Sequence, residues 1–232
     1  RGGAVTIGNF DGVHRGHQRM LAQLREQADQ LGAPAVLVSF EPHPLEFLRP
    51  DKAPPRLTGL RDKLAALQGC GLDAVLCLPF GPKLASLSAA AFVDRVLART
   101  LAARYLLVGD DFRFGHQRRG DYALLRDLSL GLGLQLERMT TVAQGGERIS
   151  STRVRDLLNT GDLHGAEQLL GRPYCISGRV SHGDRIGRTL GFPTVNLPFR
   201  RVQPPLHGVF AVRVHGLGAP RQGVANVGTR PT

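Results

Sequence analysis

The sequence predicts an α/β domain built on a doubly wound parallel sheet, followed by a small antiparallel β-barrel. Three observations predict it. From residue 4 to about residue 140, strand-like and helix-like segments alternate, the order that builds parallel sheets. The strand-like runs are continuously apolar, as strands covered on both faces must be. From Pro173 onward the chain turns to glycines, prolines and short β-rich runs, the character of a barrel or sandwich.

Taken in order, the apolar run at residues 4–7 is the first strand, and residues 20–31 form an amphipathic helix. Residues 35–40 are a second strand. Leu60, Leu64 and Leu67 mark a helical stripe, and residues 73–78 are a third strand. Ser88 is placed as an N-cap before Phe92, Val93, Val96 and Leu97. Residues 105–108 are the fourth strand. A second helical patch covers 151–170. The boundary falls near Gly171-Arg172-Pro173, giving domains 1–170 and 171–232. In the second domain, residues 174–177, 209–214 and 223–227 read as strands. Ligands of a doubly wound sheet bind at the strands' C-terminal ends. No GxGxxG follows any strand, so the dinucleotide fingerprint is missing.

Composition narrows the classes. The chain has 232 residues, 42% of them hydrophobic, enough for a sizeable core. No apolar run is long enough to span a bilayer. The chain opens at Arg1-Gly2-Gly3, almost inside the first strand, so both ends read as trimmed. With no signal peptide in view, the expected home is cytoplasmic. Cys70, Cys77 and Cys175 are odd in number and form no CxxC, which argues against a disulfide framework or zinc site and fits a reducing compartment. The formal charge of +11 attracts anions. Lysine supplies only Lys52, Lys63 and Lys83 of the 30 cationic side chains, and no basic block or aromatic platform of a nucleic-acid groove is present. The expected partners are small molecules, not nucleic acid or membrane; oligomeric state is not legible.

The chemistry concentrates at Gly8-Asn9-Phe10-Asp11-Gly12-Val13-His14-Arg15-Gly16-His17. Strand, glycine-bearing turn and helix follow one another there, so His14 and His17 sit at a helix N-terminus. Its unpaired N–H groups and partial positive charge favour phosphate. The pair with Gly16 between looks like the HxGH signature of nucleotidyltransferases. Such transfer needs positioning and fixed positive density at a crowded phosphorus. Histidine suits the second task, since small shifts decide its charge near neutrality. Downstream, Arg148-Ile149-Ser150-Ser151-Thr152-Arg153 crowds hydroxyls and arginines at a helix start. Ser151 or Ser150 is a plain N-cap, or the hydroxyls, backbone amides and arginines of this stretch together hold β- and γ-phosphates. Asp110, Asp111 and Phe112 close the fourth strand, as a turn carrying a solvated charge pair or as a ligand loop. Ser39-Phe40-Glu41-Pro42-His43-Pro44 ends the second strand in the same way.

GNFDGVHRGH, SFEPHP, VGDDFRFG with its trailing RGD, and RISSTRVR together resemble bacterial FAD synthetases, the bifunctional riboflavin kinase/FMN adenylyltransferases. The resemblance covers essentially the whole chain. It implies a first domain that adenylates FMN with Mg·ATP, giving FAD and pyrophosphate. It places the phosphates on His14 and His17, with Gly8, Phe10 and Gly16 in the nucleotide turn. It assigns the triphosphate to Arg148, Ser151 and Thr152, and puts Asp111 and Phe112 in a flavin or nucleotide loop.

The second domain carries Gly187-Arg188-Thr189-Leu190-Gly191-Phe192-Pro193-Thr194-Val195-Asn196. If 194–197 is a strand, Thr194 and Asn196 share a face, two oxygen donors side by side for Mg²⁺ or phosphate; the plainer reading is a turn and a polar strand face. The string resembles the riboflavin kinase signature, which implies Mg²⁺ and ATP phosphates on Thr194 and Asn196, with Gly187 in the ATP loop. That module normally runs on through a strand bearing a glutamate base and a helix. The chain ends at Thr232, so the expectation is that this segment alone does not phosphorylate riboflavin. Rival readings are another HxGH transferase acting on a different phosphate acceptor, a nucleic-acid-binding module, and a flavin-binding protein without turnover.

Overall fold

A computed structural model describes residues 2–182, 191, 194–199 and 204–228. Along the chain lie β1 (Ala4–Ile7), α1 (Arg15–Gln30), β2 (Ala35–Glu41), α2 (Pro44–Leu48), α3 (Leu60–Leu67) and β3 (Ala74–Pro79). They are followed by α4 (Pro82–Ala85), α5 (Ala89–Phe92), β4 (Tyr105–Val108), α6 (Tyr122–Leu130) and β5 (Gln135–Arg138). The short strands β6 (Ala143–Gln144) and β7 (Glu147–Arg148) lead into α7 (Ser151–Asn159) and α8 (Leu163–Leu170), then β8 (Gly208–Val214) and β9 (Arg221–Val227). The helix begun by α5 continues with π-type hydrogen bonding over Val93–Thr100, and Ser88 caps it by accepting from the Ala91 N–H.

Five strands form one parallel sheet in the order β3-β2-β1-β4-β5. The order reverses direction at β1, where the chain first leaves the sheet, so the β1–α1 turn occupies the topological switch point. Alternation along the strands divides the core in two. Val5, Ile7, Val36, Val38, Leu106 and Val108 face the α5 helix. Ala4, Ala35, Leu37 and Leu107 face Leu21, Leu24 and Ala28 of α1. Each fully buried leucine is worth about 1.5–3 kcal/mol, and both faces need their helices for that gain. This is why the strands read as unbroken apolar runs.

Two helical expectations shift. The Leu60/Leu64/Leu67 stripe is not the buried face of α3: Leu60 and Leu64 are exposed, while Lys63 and Leu67, one turn apart, are buried. The patch at 151–170 is two helices, separated at Gly161, whose φ is +79°. β5 lay outside the expected strands because its half-exposed sequence, Gln135-Leu136-Glu137-Arg138, shows no apolar run.

Contacts divide the chain into two compact units. One comprises the segments up to Pro54 and Lys63–Ile149, and the other comprises Pro55–Asp62 with the chain from Ser150. In the second unit α7 and α8 bury Val154, Leu158, Ala166 and Leu169, and Arg155 Nε donates to the Pro55 carbonyl at 2.7 Å. Further along, β8 and β9 make an antiparallel hairpin from Gly208↔Val227 to Val214↔Arg221. Residues 174–177 form no strand, because no described segment pairs with them. Residues 194–197 form no strand either. Asn196 makes a single bridge to Ser181, whose N–H donates to the Asn196 carbonyl at 3.0 Å.

Candidate active site

The turn after β1 is built against ordinary backbone preference. Phe10, Gly12 and Val13 all take positive φ, at +48°, +84° and +43°. Such a conformation costs a non-glycine residue roughly 1–3 kcal/mol, and a β-branched valine is a rare occupant. Burial holds both side chains in place, with Phe10 at 2% and Val13 at 0% exposure. The turn delivers His14 as the N-cap of α1. Its Nδ1 accepts from the His17 N–H at 3.3 Å, so the proton of a neutral ring lies on Nε2.

The two imidazoles stack with centroids 3.7 Å apart and planes 14° apart, and Phe10 also stacks on His17 at 4.5 Å. His14 is buried and His17 is partly exposed. The His17 Nδ1 atom is itself buried and has no hydrogen-bond partner among the described residues. Burial pushes the His17 pKa well below the ordinary 6.5, and the positive fields of His14, Lys63 and Arg148 push it the same way. Here the ring is neutral at pH 7. Gly16 has a steric role: a Cβ there would lie 3.1 Å from His14 Nδ1 and 3.2 Å from its Cε1. At Gly8 a Cβ would press on the Phe10 ring at 3.0 Å.

Lys63, which sequence reasoning did not single out, stands beside this turn with Ser39 and His43 of the SFEPHP stretch. Lys63, 1% exposed, donates from Nζ to Ser39 Oγ at 3.3 Å, and Ser39 Oγ donates to the Asn9 carbonyl at 3.3 Å. His43 caps α2, accepting at Nδ1 from the Leu45 N–H at 3.2 Å, and its Nε2 lies 3.1 Å from the Asn9 side-chain amide. The only signal of Lys63 in the sequence was its spacing, one turn before a buried leucine. His43 was marked by the Pro-flanked end of β2.

Arg148 lies on the β6–β7 hairpin and pairs with Asp110 at 3.3 Å and Asp111 at 3.1 Å. The Thr141 hydroxyl donates to Asp110 and, with Arg148, holds its carboxyl below the usual range. The expected residues Arg148 and Asp111 therefore meet. Phe112 stacks on Phe114 at 5.4 Å and packs against the core. In the second unit Ser150, not Ser151, is the N-cap of α7, accepting from the Arg153 N–H at 3.2 Å. Ser151 is half-buried and Thr152 exposed in the first turn. Thr194 and Asn196 are exposed, and Gly187 lies outside the described residues. Among the described residues no group of three or more His, Cys, Asp or Glu could hold a metal ion, and no helix is long and apolar enough to cross a membrane.

A doubly wound parallel sheet that presents paired imidazoles at a helix N-terminus, on its switch point, defines an α/β nucleotidyltransferase-like domain. Comparison with known proteins agrees. The FAD synthetase family model matches residues 1–153 and the riboflavin kinase model matches residues 170–232. The chain is 51% identical over its whole length to a bifunctional riboflavin kinase/FMN adenylyltransferase of Escherichia coli strain K12, covering 74% of that relative. Relatives of the same description from Pseudomonas fluorescens and Haemophilus influenzae are 51% and 44% identical, with 74% and 76% of their lengths covered. Among solved structures, one described as a macrolide-efflux protein from Streptococcus pneumoniae aligns at a TM-score of 0.81 and 27% identity, over 100% of this chain and 76% of that one. The chain belongs to the bifunctional riboflavin kinase/FMN adenylyltransferase family, enzymes of FAD biosynthesis. Its antiparallel hairpin belongs to the small riboflavin kinase barrel.

Proposed function

We propose that residues 1–170 transfer the adenylyl group of ATP to FMN, and that residues 171–232 belong to the riboflavin kinase module. An FMN phosphate oxygen attacks the α-phosphorus, the bond to the β-phosphate oxygen breaks, and pyrophosphate leaves as FAD forms. His14 and His17 are the catalytic pair. The observation that carries this reading is their stack on the N-terminus of α1, with one ring kept neutral by burial and surrounding cations. An arriving triphosphate cancels those positive fields, so His17 gains basicity as negative charge builds beside it. The first-turn N–H groups of Arg15 and Gly16 belong to that same helix end, while the His17 N–H is taken by His14 Nδ1. Gly8 and Phe10 shape the turn, while Arg148, Ser151 and Thr152 bind the triphosphate.

Asp111 and Phe112 line the flavin side. Separately, a ledge beyond β2 and β3, where Phe47 meets Phe80 at 6.0 Å and Leu45 and Leu48 are exposed, offers an apolar face to a flat aromatic ring. Mg²⁺ enters with ATP. It commonly takes few protein oxygens and completes its shell with phosphates and water. The hydroxyl of Thr194 and the amide of Asn196, both exposed hard donors, fit that mode in the kinase module, with Gly187 in its ATP loop. When bound, the ion neutralises phosphate charge. Small-molecule substrates (ATP, FMN and riboflavin) are the partners, rather than nucleic acid or membrane, and the setting is cytoplasmic. The test is a product assay with FMN and riboflavin supplied separately with Mg·ATP. FAD and pyrophosphate in equal amounts from FMN are expected; folded protein yielding neither refutes the proposal.

A further inference from the structure

We propose that Lys63 is a positioning residue for adenylyl transfer: its buried ammonium, anchored on Ser39, fixes the Asn9 backbone that carries the two imidazoles and sets a permanent positive charge behind His17.

The argument starts from cost. An ammonium that is 1% exposed has lost its water, and a fold keeps such a group only where partners compensate it. Lys63 sits on α3, whose remaining buried residue is Leu67, so a methionine or leucine would fill the same site with less penalty. What the lysine adds is a link. Nζ reaches Ser39 Oγ on β2, and that hydroxyl reaches the Asn9 carbonyl in the β1–α1 turn. The Asn9 side chain in turn meets His43, the cap of α2. One short chain of hydrogen bonds thus ties α3, β2 and α2 to the strained turn, where Phe10 and Val13 need outside support to keep positive φ.

The second contribution is electrostatic. The charged groups acting on His17 are His14 from its own turn, Lys63 from α3 and Arg148 from the β6–β7 hairpin. Arg148 is partly neutralised by Asp110 and Asp111. Lys63 is 1% exposed, so its field reaches His17 with little solvent screening. It therefore helps keep His17 neutral until an anion arrives.

The inference rests on the adenylyl-transfer reading, and the experiment separates the two. Lys63→Met and Lys63→Arg are compared with wild type in two assays: steady-state FAD formation from FMN and Mg·ATP, and NMR titration of ¹⁵N-histidine in the substrate-free chain. In Lys63→Met the His17 titration should rise by about 0.5–1 pH unit. Its kcat should fall by about tenfold or more while KM for ATP changes less than about threefold, the mark of lost positioning. Lys63→Arg should return the His17 titration towards wild type. An unmoved His17 titration, or an unchanged kcat, overturns the proposal. If Lys63→Met does not fold, Ser39→Ala decides. It keeps the charge and cuts the link, so a lower kcat with unaltered His17 titration supports the proposal, and wild-type kcat overturns it. Wild-type protein that makes no FAD refutes the adenylyl-transfer reading, while the titration arm still judges Lys63.

Discussion

The β1–α1 turn lies within the FAD synthetase match and segment 194–199 within the riboflavin kinase match, yet they are physically unlike. In the turn, Phe10, Val13 and His14 are buried, the two imidazoles stack, and hydrogen bonds run to β2, α2 and α3. In segment 194–199 every residue is exposed, and a single bridge, Asn196 to Ser181, ties it to another described segment. The contrast shows how a site can be made. The turn spends stability on a strained, desolvated geometry that alters the proton affinity of His17. Thr194 and Asn196 sit as ordinary solvated donors. Desolvation is what converts a residue list into an electrostatic device.

That contrast can be broken most sharply at His17. His17→Ala should lower kcat for FAD formation by about 10²–10³, the loss typical of one transition-state donor. Steady-state kinetics on folded variant protein reads it, and a rate within a few-fold of wild type would remove His17 from the chemistry. Gly16→Ala should cost about tenfold in kcat, since its Cβ would crowd His14 at 3.1 Å and a shift of roughly 1 Å at a reacting group costs up to about 10²-fold. The melting temperature should barely move, which thermal unfolding checks.

The buried ring also leaves a thermodynamic signature. His17 binds its proton less readily in the folded chain than in the unfolded one. Its stabilising contribution is therefore complete above pH 6.5 and is lost as pH falls below that value towards the folded-state pKa. The slope reaches about 1.4 kcal/mol per pH unit while only the unfolded chain is protonated. His17→Gln should flatten the fall in stability between pH 6.5 and 5, measured by urea unfolding at each pH. An unchanged slope would mean that the imidazole is not desolvated. The smallest effect belongs to the other region: Thr194→Ala with Asn196→Ala should leave FAD formation from FMN within about twofold, as for exposed substitutions generally. A large loss there would abolish the distinction between the two regions.

Much of this was legible in the sequence because it follows from local rules. Continuous apolar runs gave β1, β2, β3 and β4, Ser88 announced its cap, and HxGH located the imidazoles. What stayed hidden was tertiary. Lys63 looks like any surface lysine until α3 turns it inward, and Leu60 and Leu64 look like core until the same rotation exposes them. β5 is a strand because β4 offers it an edge, not because Gln135-Leu136-Glu137-Arg138 prefers to be one. Ser150 and Ser151 were equivalent as caps on paper, and the backbone chose Ser150.

The most direct test follows the imidazoles themselves as a non-hydrolysable ATP analogue with Mg²⁺ is titrated into ¹⁵N-histidine-labelled protein. Saturable movement of the His14 and His17 resonances, with His116 and His164 unmoved, is the predicted result. His14 and His17 signals that stay fixed at a nucleotide concentration shown by calorimetry to saturate the protein would contradict the account.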